Sequence, residues 1–254
     1  MKHIGCLLKK ELKAQFYSPA TYAAGVLFLL LMGVFFVLSL SEASKEALER
    51  NPVETFMSLF WIPVWFMIPM LTMRSLAEER RLGTLEVTLT TPSNAFEIVL
   101  SKWCAAYILY VLLWMLTLLF PLITAFMEPQ IAEQGELLNP ATLVGSLLFI
   151  AISGLLYVAV GIFSSSLTRS QLIAAMLSFC ILLIFTVGAK ILVQVPILGG
   201  HQNASLQSLP DYLRTFQHLE DFSQGIVDTR PLFLYLSNAF LLLGLTSLVV
   251  RSKA

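Results

Sequence analysis

Long apolar runs alternate with short polar stretches along the chain, and the runs have the length of membrane spans. Six occur, at about 20–40, 54–76, 103–127, 141–167, 172–195 and 232–250. As a helix, each is long enough to cross about 30 Å of hydrocarbon. The pattern predicts an all-α membrane protein, with six transmembrane helices in a single domain over residues 1–254. Pro63 and Pro69 fall in the second run and Pro121 in the third. Each lacks a backbone donor, which predicts kinked spans.

The polar-rich segments carry patterns of their own. In residues 1–18, Ile4, Leu7, Leu8, Leu12 and Phe16 share a helical face, with Lys9, Lys10 and Lys13 largely elsewhere. This predicts an amphipathic helix lying at the membrane surface. Ser18 ends it, and Pro19 suits the first turn of the next helix. The run after it is too long for a signal-peptide core, so the segment is expected to be retained.

Residues 77–102 hold the stretch EERRLGTLEVTLTTPSNAFEIVLSK, with seven charged residues in 25. It predicts a helix running out of the second span, from Met73 to about Leu89, with Leu82, Leu85 and Leu89 as one stripe. Gly83 costs a helix about 1 kcal/mol against Ala, which predicts a bend or a close approach of another backbone. Pro92 disfavours helical geometry at Thr91. Asn94 followed by Glu97 resembles a capping box. The helix it opens reaches Met127, about 50 Å at 1.5 Å per residue, and overhangs the hydrocarbon by about 20 Å. Lys102 and Trp103 are expected as interface anchors. Two helices thus project from the membrane and meet at a proline turn, where a soluble partner can push.

The stretch 196–231 predicts one or two short helices, because Leu209, Tyr212, Leu213, Phe216 and Leu219 recur at helical spacing. Phe222 and Ile226 continue the stripe. Such helices lie on the outer leaflet or cover the outer helix ends.

Composition agrees with a membrane chain: 57% hydrophobic, 13% charged, mean hydropathy +0.79. Soluble domains hold about 25% charged residues. With 16 basic and 16 acidic residues, nothing suggests a nucleic-acid surface. With both termini in the cytoplasm, eleven Lys and Arg lie inside and five outside, a positive-inside bias that fits an even number of spans.

Candidate chemistry is sparse. Cys6, Cys104 and Cys180 are scattered, which argues against a disulfide framework or a zinc site. The sequence has no G-x-x-x-x-G-K-[ST], H-E-x-x-H or G-x-S-x-G pattern, so no P-loop nucleotide site, metal site or catalytic residue is expected. The spans lack the midplane carboxylate of ion-coupled transport, since Glu54 and Lys190 sit near span ends. Any uphill work needs energy from a partner. An intramembrane enzyme would need facing polar groups, and the spans offer little beyond Ser, Thr and Tyr.

MLTMRSLAEERRLGTLEVTLTTPSNAFEIVLSKW resembles the segment between spans two and three of permease subunits of ABC exporters of the second type. KKELKAQFYSPATY resembles their elbow helix, and SLTRSQLIAAMLSF their turn between spans four and five. FQHLEDFSQGIVDTRPLFLYLS is similar to the gliding-motility-type branch. The resemblance implies that Glu78, Glu79, Arg81, Gly83, Thr84 and Glu86 belong to a coupling region docking on a separate ATP-binding subunit. Pro92, Ser93 and Asn94 would form its tip, and the elbow helix around Lys9–Phe16 would lie against it. ATP and Mg would bind the partner, and this chain would carry no cofactor.

It further implies a dimer with a second copy or a paralogue in the bacterial cytoplasmic membrane. Spans two and five would line a substrate path, with Phe60, Trp61, Trp65, Phe66, Phe179 and Phe185 as apolar candidates. Nearly uncharged spans suit apolar or amphipathic cargo. The alternative function is a non-transporting scaffold that anchors an ATPase or an envelope machine.

Overall fold

The computed structural model describes residues 4–43, 51–89, 94–134, 137–188, 215–224 and 229–252. Among the described residues every regular element is helical, as apolar surroundings demand, because a helix satisfies its own backbone groups. Among the described residues, five helices are long and apolar enough to cross a membrane: Pro19–Ser41, Ala95–Met127, Pro140–Leu167, Gln171–Gly188 and Thr229–Ser252. The bent pair Pro52–Ser58 and Trp61–Leu82 makes a sixth if it is one span.

Helix α1 (Ile4–Phe16) ends as expected before Pro19, which opens α2 (Pro19–Ala43). The second apolar run differs from the kinked single helix expected. It divides into α3 (Pro52–Ser58) and α4 (Trp61–Thr72), and the two limbs bend by 44°. Pro63 has no N–H to offer the Leu59 carbonyl, and its ring crowds that carbonyl. The ladder there falls back to a tighter bond, from Ile62 N to Leu59 O at 3.2 Å. Asn51 starts α3 by accepting from Val53 N at 3.0 Å.

The third long helix runs from Ala95 to Met127, 33 residues. It comprises α7 (Ala95–Thr117) and α8 (Leu119–Met127), with a change of register only at Leu118. Pro121 cannot donate to Thr117, and Leu118 N turns to Met115 O at 3.3 Å. Then come α9 (Pro129–Gln134), α10 (Pro140–Leu167) and α11 (Gln171–Leu183), which ends in a π-helical turn, Ile184–Gly188. The last two are α12 (Thr215–Ser223) and α13 (Thr229–Ser252). The far end of the expected fifth span lies outside the described residues, as do Leu209, Tyr212, Leu213 and Ile226.

The most buried helix is α10, and it touches α4, α7, α11, α12 and α13. Small residues let its neighbours approach, as in other membrane bundles. A Cβ on Gly154 would lie 2.2 Å from the Tyr110 ring, and one on Gly161 would lie 2.3 Å from Thr72 Oγ1. Phe149 anchors an aromatic layer, edge-on to Phe60 at 5.8 Å and to Tyr235 at 5.9 Å. Leu219 and Phe222 bury α12 against one end of α10, with the Phe222 ring 5.6 Å from Phe149.

Candidate functional site

The charged stretch folds as two short helices, α5 (Ala77–Leu82) and α6 (Thr84–Leu89). The expectation of one helix from Met73 to Leu89 is corrected at two breaks.

The first break is the turn from Met73 to Leu76, which Ser165 of α10 fills. Its hydroxyl donates to Met73 O at 3.2 Å and accepts from Leu76 N and Ala77 N, each at 3.0 Å. The start of a helix leaves backbone donors unpaired. Here a side chain 88 residues away does what an N-cap residue does locally. The second break is Gly83, at φ +71°, whose N–H returns to the Glu79 and Arg80 carbonyls. Glycine takes this left-handed turn without strain. A Cβ there would meet nothing within 4 Å, so Gly83 marks a bend and not a close approach. The bend also splits the expected leucine stripe. Leu85 is buried, whereas Leu82 is 62% exposed.

Lys102 overturns its expected role as an interface anchor. It is only 2% exposed, and its Nζ donates to Glu79 Oε1 at 2.7 Å and to Glu11 Oε1 at 3.0 Å. One ammonium thus joins α1, α5 and α7. A buried charge is tolerated only when paired, and losing one partner is far more costly than never having the pair. The contact therefore fixes position more than it adds stability.

Arg80 also turns inward, and its Nη1 donates to the Ser166 carbonyl. That carbonyl lies at the negative C-terminal end of α10, a favourable place for a cation. Burial, and then the nearby Arg169 cation, lower the Arg80 pKa from its ordinary value. A guanidinium remains charged there. Trp103 donates to the Leu155 carbonyl at 3.1 Å, a third tie to α10.

The expected docking residues therefore divide. Glu79 faces the bundle, while Arg81, Gly83 and Thr84 are exposed. Glu78 approaches Arg81 at 3.9 Å, and Thr84 Oγ1 donates to the Glu79 carbonyl at 3.3 Å. Glu86 belongs to α6, but its side chain is outside the described residues, as are Pro92 and Ser93. Asn94 has the extended backbone of a cap before α7, yet its side chain makes no capping bond, so the expected capping box does not form.

The apolar path candidates divide as well. Trp61 and Trp65 of α4 meet at 4.6 Å, and Phe179 of α11 lies 6.2 Å from Trp65 and 5.6 Å from Phe66. Trp65 Nε1 donates to Thr186 Oγ1 at 2.9 Å, fastening α4 to the π-helical turn. Phe60 lies apart, in the core against Trp114 and Phe149, and Phe185 sits beside Tyr157.

Lys102 was readable in the sequence only as a lone cation near the start of a span. Its partner Glu11 is 91 residues away, and no spacing rule reaches that far. The Ser164–Ser166 run was similarly mute, since serines at a helix end read as solvated. Among the described residues no three His, Cys, Asp or Glu side chains are placed to hold a metal ion.

A comparison with curated proteins gives no match. The family model described as "ABC-2 family transporter protein" matches residues 6–250, nearly the whole chain. The match covers the apolar helices and the charged stretch alike. This chain therefore belongs to the ABC-2 transporter family, as a multi-pass membrane permease subunit of an ABC transporter.

Proposed function

We propose that the chain is a six-span permease of an ATP-driven exporter, coupled through α5 and α6 to a separate ATP-binding subunit. It works as a dimer with a second copy or a paralogue, in the bacterial cytoplasmic membrane with both termini inside. The docking face is Glu78, Arg81, Leu82, Gly83 and Thr84, with Pro92, Ser93 and Asn94 at the tip. The observation that carries this reading is the set of ties on the small helix α5. Glu79 links it to α1 and α7 through Lys102, while Ser165 and the Ser166 carbonyl link it to α10. A displacement of α5 is therefore felt by two long apolar helices and the amphipathic helix at once. The positive-inside charge count supports the orientation.

The chemistry of ATP belongs to the partner. This chain converts the partner's motion into a change between inward-open and outward-open states. That requires the partner to bind the two states with different affinity. Trp61, Trp65, Phe66 and Phe179 are the apolar surface nearest the proposed path between spans two and five.

Gentle-detergent purification of the tagged chain from its native membranes, with mass spectrometry of what comes along, tests this. A stoichiometric soluble protein with a P-loop is expected, and its ATPase activity should rise with the transported solute. Purification of the chain alone, with no crosslink from cysteines placed at Arg81 or Leu82, would remove the docking assignment. An ATPase partner indifferent to every solute would favour the scaffold.

A further inference from the structure

Glu11 is the only acidic residue of α1, and the structure turns it inward. Its carboxylate accepts from Lys102 Nζ at 3.0 Å, and its side chain is 14% exposed. Residues two apart on a helix do not share a face, so Lys9 and Lys13, on either side of Glu11 in sequence, point away from it. Both are exposed, as is Lys10, and none of the three makes a hydrogen bond or ion pair among the described residues. A stretch that reads Lys-Lys-Glu-Leu-Lys, partly neutralised as sequence, thus presents three free cations and no anion on its outer face.

The apolar side of α1 is already in use. Ile4, Leu7, Leu8 and Leu12 are half-buried, and α1 packs beside α7. What remains for a partner is charge, and it lies close to the membrane. Tyr17 N donates to Lys13 O at 2.9 Å, Ser18 N to Gln15 O at 3.1 Å and Thr21 N to Ser18 O at 3.1 Å. Helix α1 therefore joins the span α2 through a hydrogen-bonded turn with no slack. Lys13 and Lys9 lie about 5 and about 10 Å from Phe16 along the helix. The headgroup layer is about 6 Å deep and the Debye length about 8 Å, so these charges fall within its reach. At the same junction Phe16 is 40% and Tyr17 84% exposed. Aromatic side chains at a span end settle at headgroup level. Arg74 is exposed there as well and donates to Ser18 Oγ at 3.4 Å, which adds a fourth cation.

We propose that the outer face of α1 binds the headgroups of anionic phospholipids. Lys9, Lys10 and Lys13 supply the charge, and Phe16 and Tyr17 fix the depth. A basic face can also meet an acidic protein surface, but exposed aromatics at the entry to a span favour lipid. The surface needs only a bilayer and does not rest on the docking reading. Lipid held there bears on the cluster that positions α5, because Glu11 and the three lysines share one helix.

The test titrates the full chain in neutral detergent with dioctanoyl phosphatidylglycerol or dioctanoyl phosphatidylcholine, read by native mass spectrometry. Phosphatidylglycerol should bind the tighter, and added salt should weaken it alone, because phosphatidylcholine carries no net charge. Lys9→Gln, Lys10→Gln and Lys13→Gln together should weaken phosphatidylglycerol about 100-fold, and Lys13→Gln alone about fivefold. Arginine at the same three positions should keep the parent's affinity. Arg251→Gln, at the end of α13, should leave it unchanged, which separates this face from other cations near the membrane. Without lipid, the variants should melt with the parent, since the side chains are exposed and unpaired. If the triple variant fails to fold, the single one carries the test. Equal affinity for both lipids, or parent affinity in the triple variant, would overturn the proposal. Lipid binding that survives the triple change while an ATP-binding subunit is lost on purification would also overturn it, and would assign the face to a protein.

Discussion

The two ends of α10 are fastened in opposite ways. At the α12 end the contact is made by shape. Gly145 lets the Phe222 carbonyl come so close that a Cβ would sit 1.9 Å from it, and Phe222 packs on Phe149. At the α5 end the contact is made by directed polar bonds, through Ser165, the Ser166 carbonyl and the Lys102 cluster nearby. Apolar packing is non-directional and forgives small slides. Hydrogen bonds weaken steeply when angles or distances change. The end that meets a partner in the proposed function is thus the end whose geometry is most tightly specified.

The most severe test of that contrast is Lys102→Met. It leaves Glu11 and Glu79 as uncompensated, half-buried carboxylates and should lower stability by about 2.5 kcal/mol, read by reversible denaturant titration in detergent. Adding Glu11→Gln and Glu79→Gln should restore most of the loss while partner-coupled ATPase activity stays low. Full recovery of activity in the triple variant would show that the cluster does not position α5.

Ser165→Ala is the next largest change. Leu76 N and Ala77 N lose their acceptor, which should cost about 2 kcal/mol and release α5 in hydrogen exchange. Protection of α5 amides equal to the parent's would refute the cap.

At the other end, Gly145→Val presses a side chain into the Phe222 backbone. It should cost about 1.5 kcal/mol. Proteolysis near α12 should rise, with ATPase coupling untouched. Coupling that fell as far as in Ser165→Ala would erase the distinction between the two ends.

The smallest change in folding is expected from Leu82→Ser, within about 0.5 kcal/mol, because the side chain is already exposed. Co-purification of the ATP-binding partner should nevertheless fall. Undiminished recovery of the partner would move the docking face away from Leu82.

Much of the architecture was legible because it rests on local physics. Apolar runs longer than 18 residues admit little besides spanning helices, and Pro19, Pro63 and Pro121 mark where backbone donors are missing. The bend at Gly83 was visible for the same reason. The polar half of the site was not. Lys102 resembles any interfacial lysine until Glu11 and Glu79 close around it. Asn94 with Glu97 suggests a capping box that does not form, because a short motif states a preference and not an outcome.

By itself the sequence determined the helical class, the candidate spans and the amphipathic helix Ile4–Phe16. Each follows from residues near one another along the chain, through periodicity, a missing N–H or a run of hydropathy. Only the tertiary structure decided which charges turn inward. Pairing Lys102 with Glu11, or Ser165 with the start of α5, joins residues 91 and 88 positions apart. Burial makes those bonds obligatory once the helices meet, and the chain carries no local sign of them beforehand.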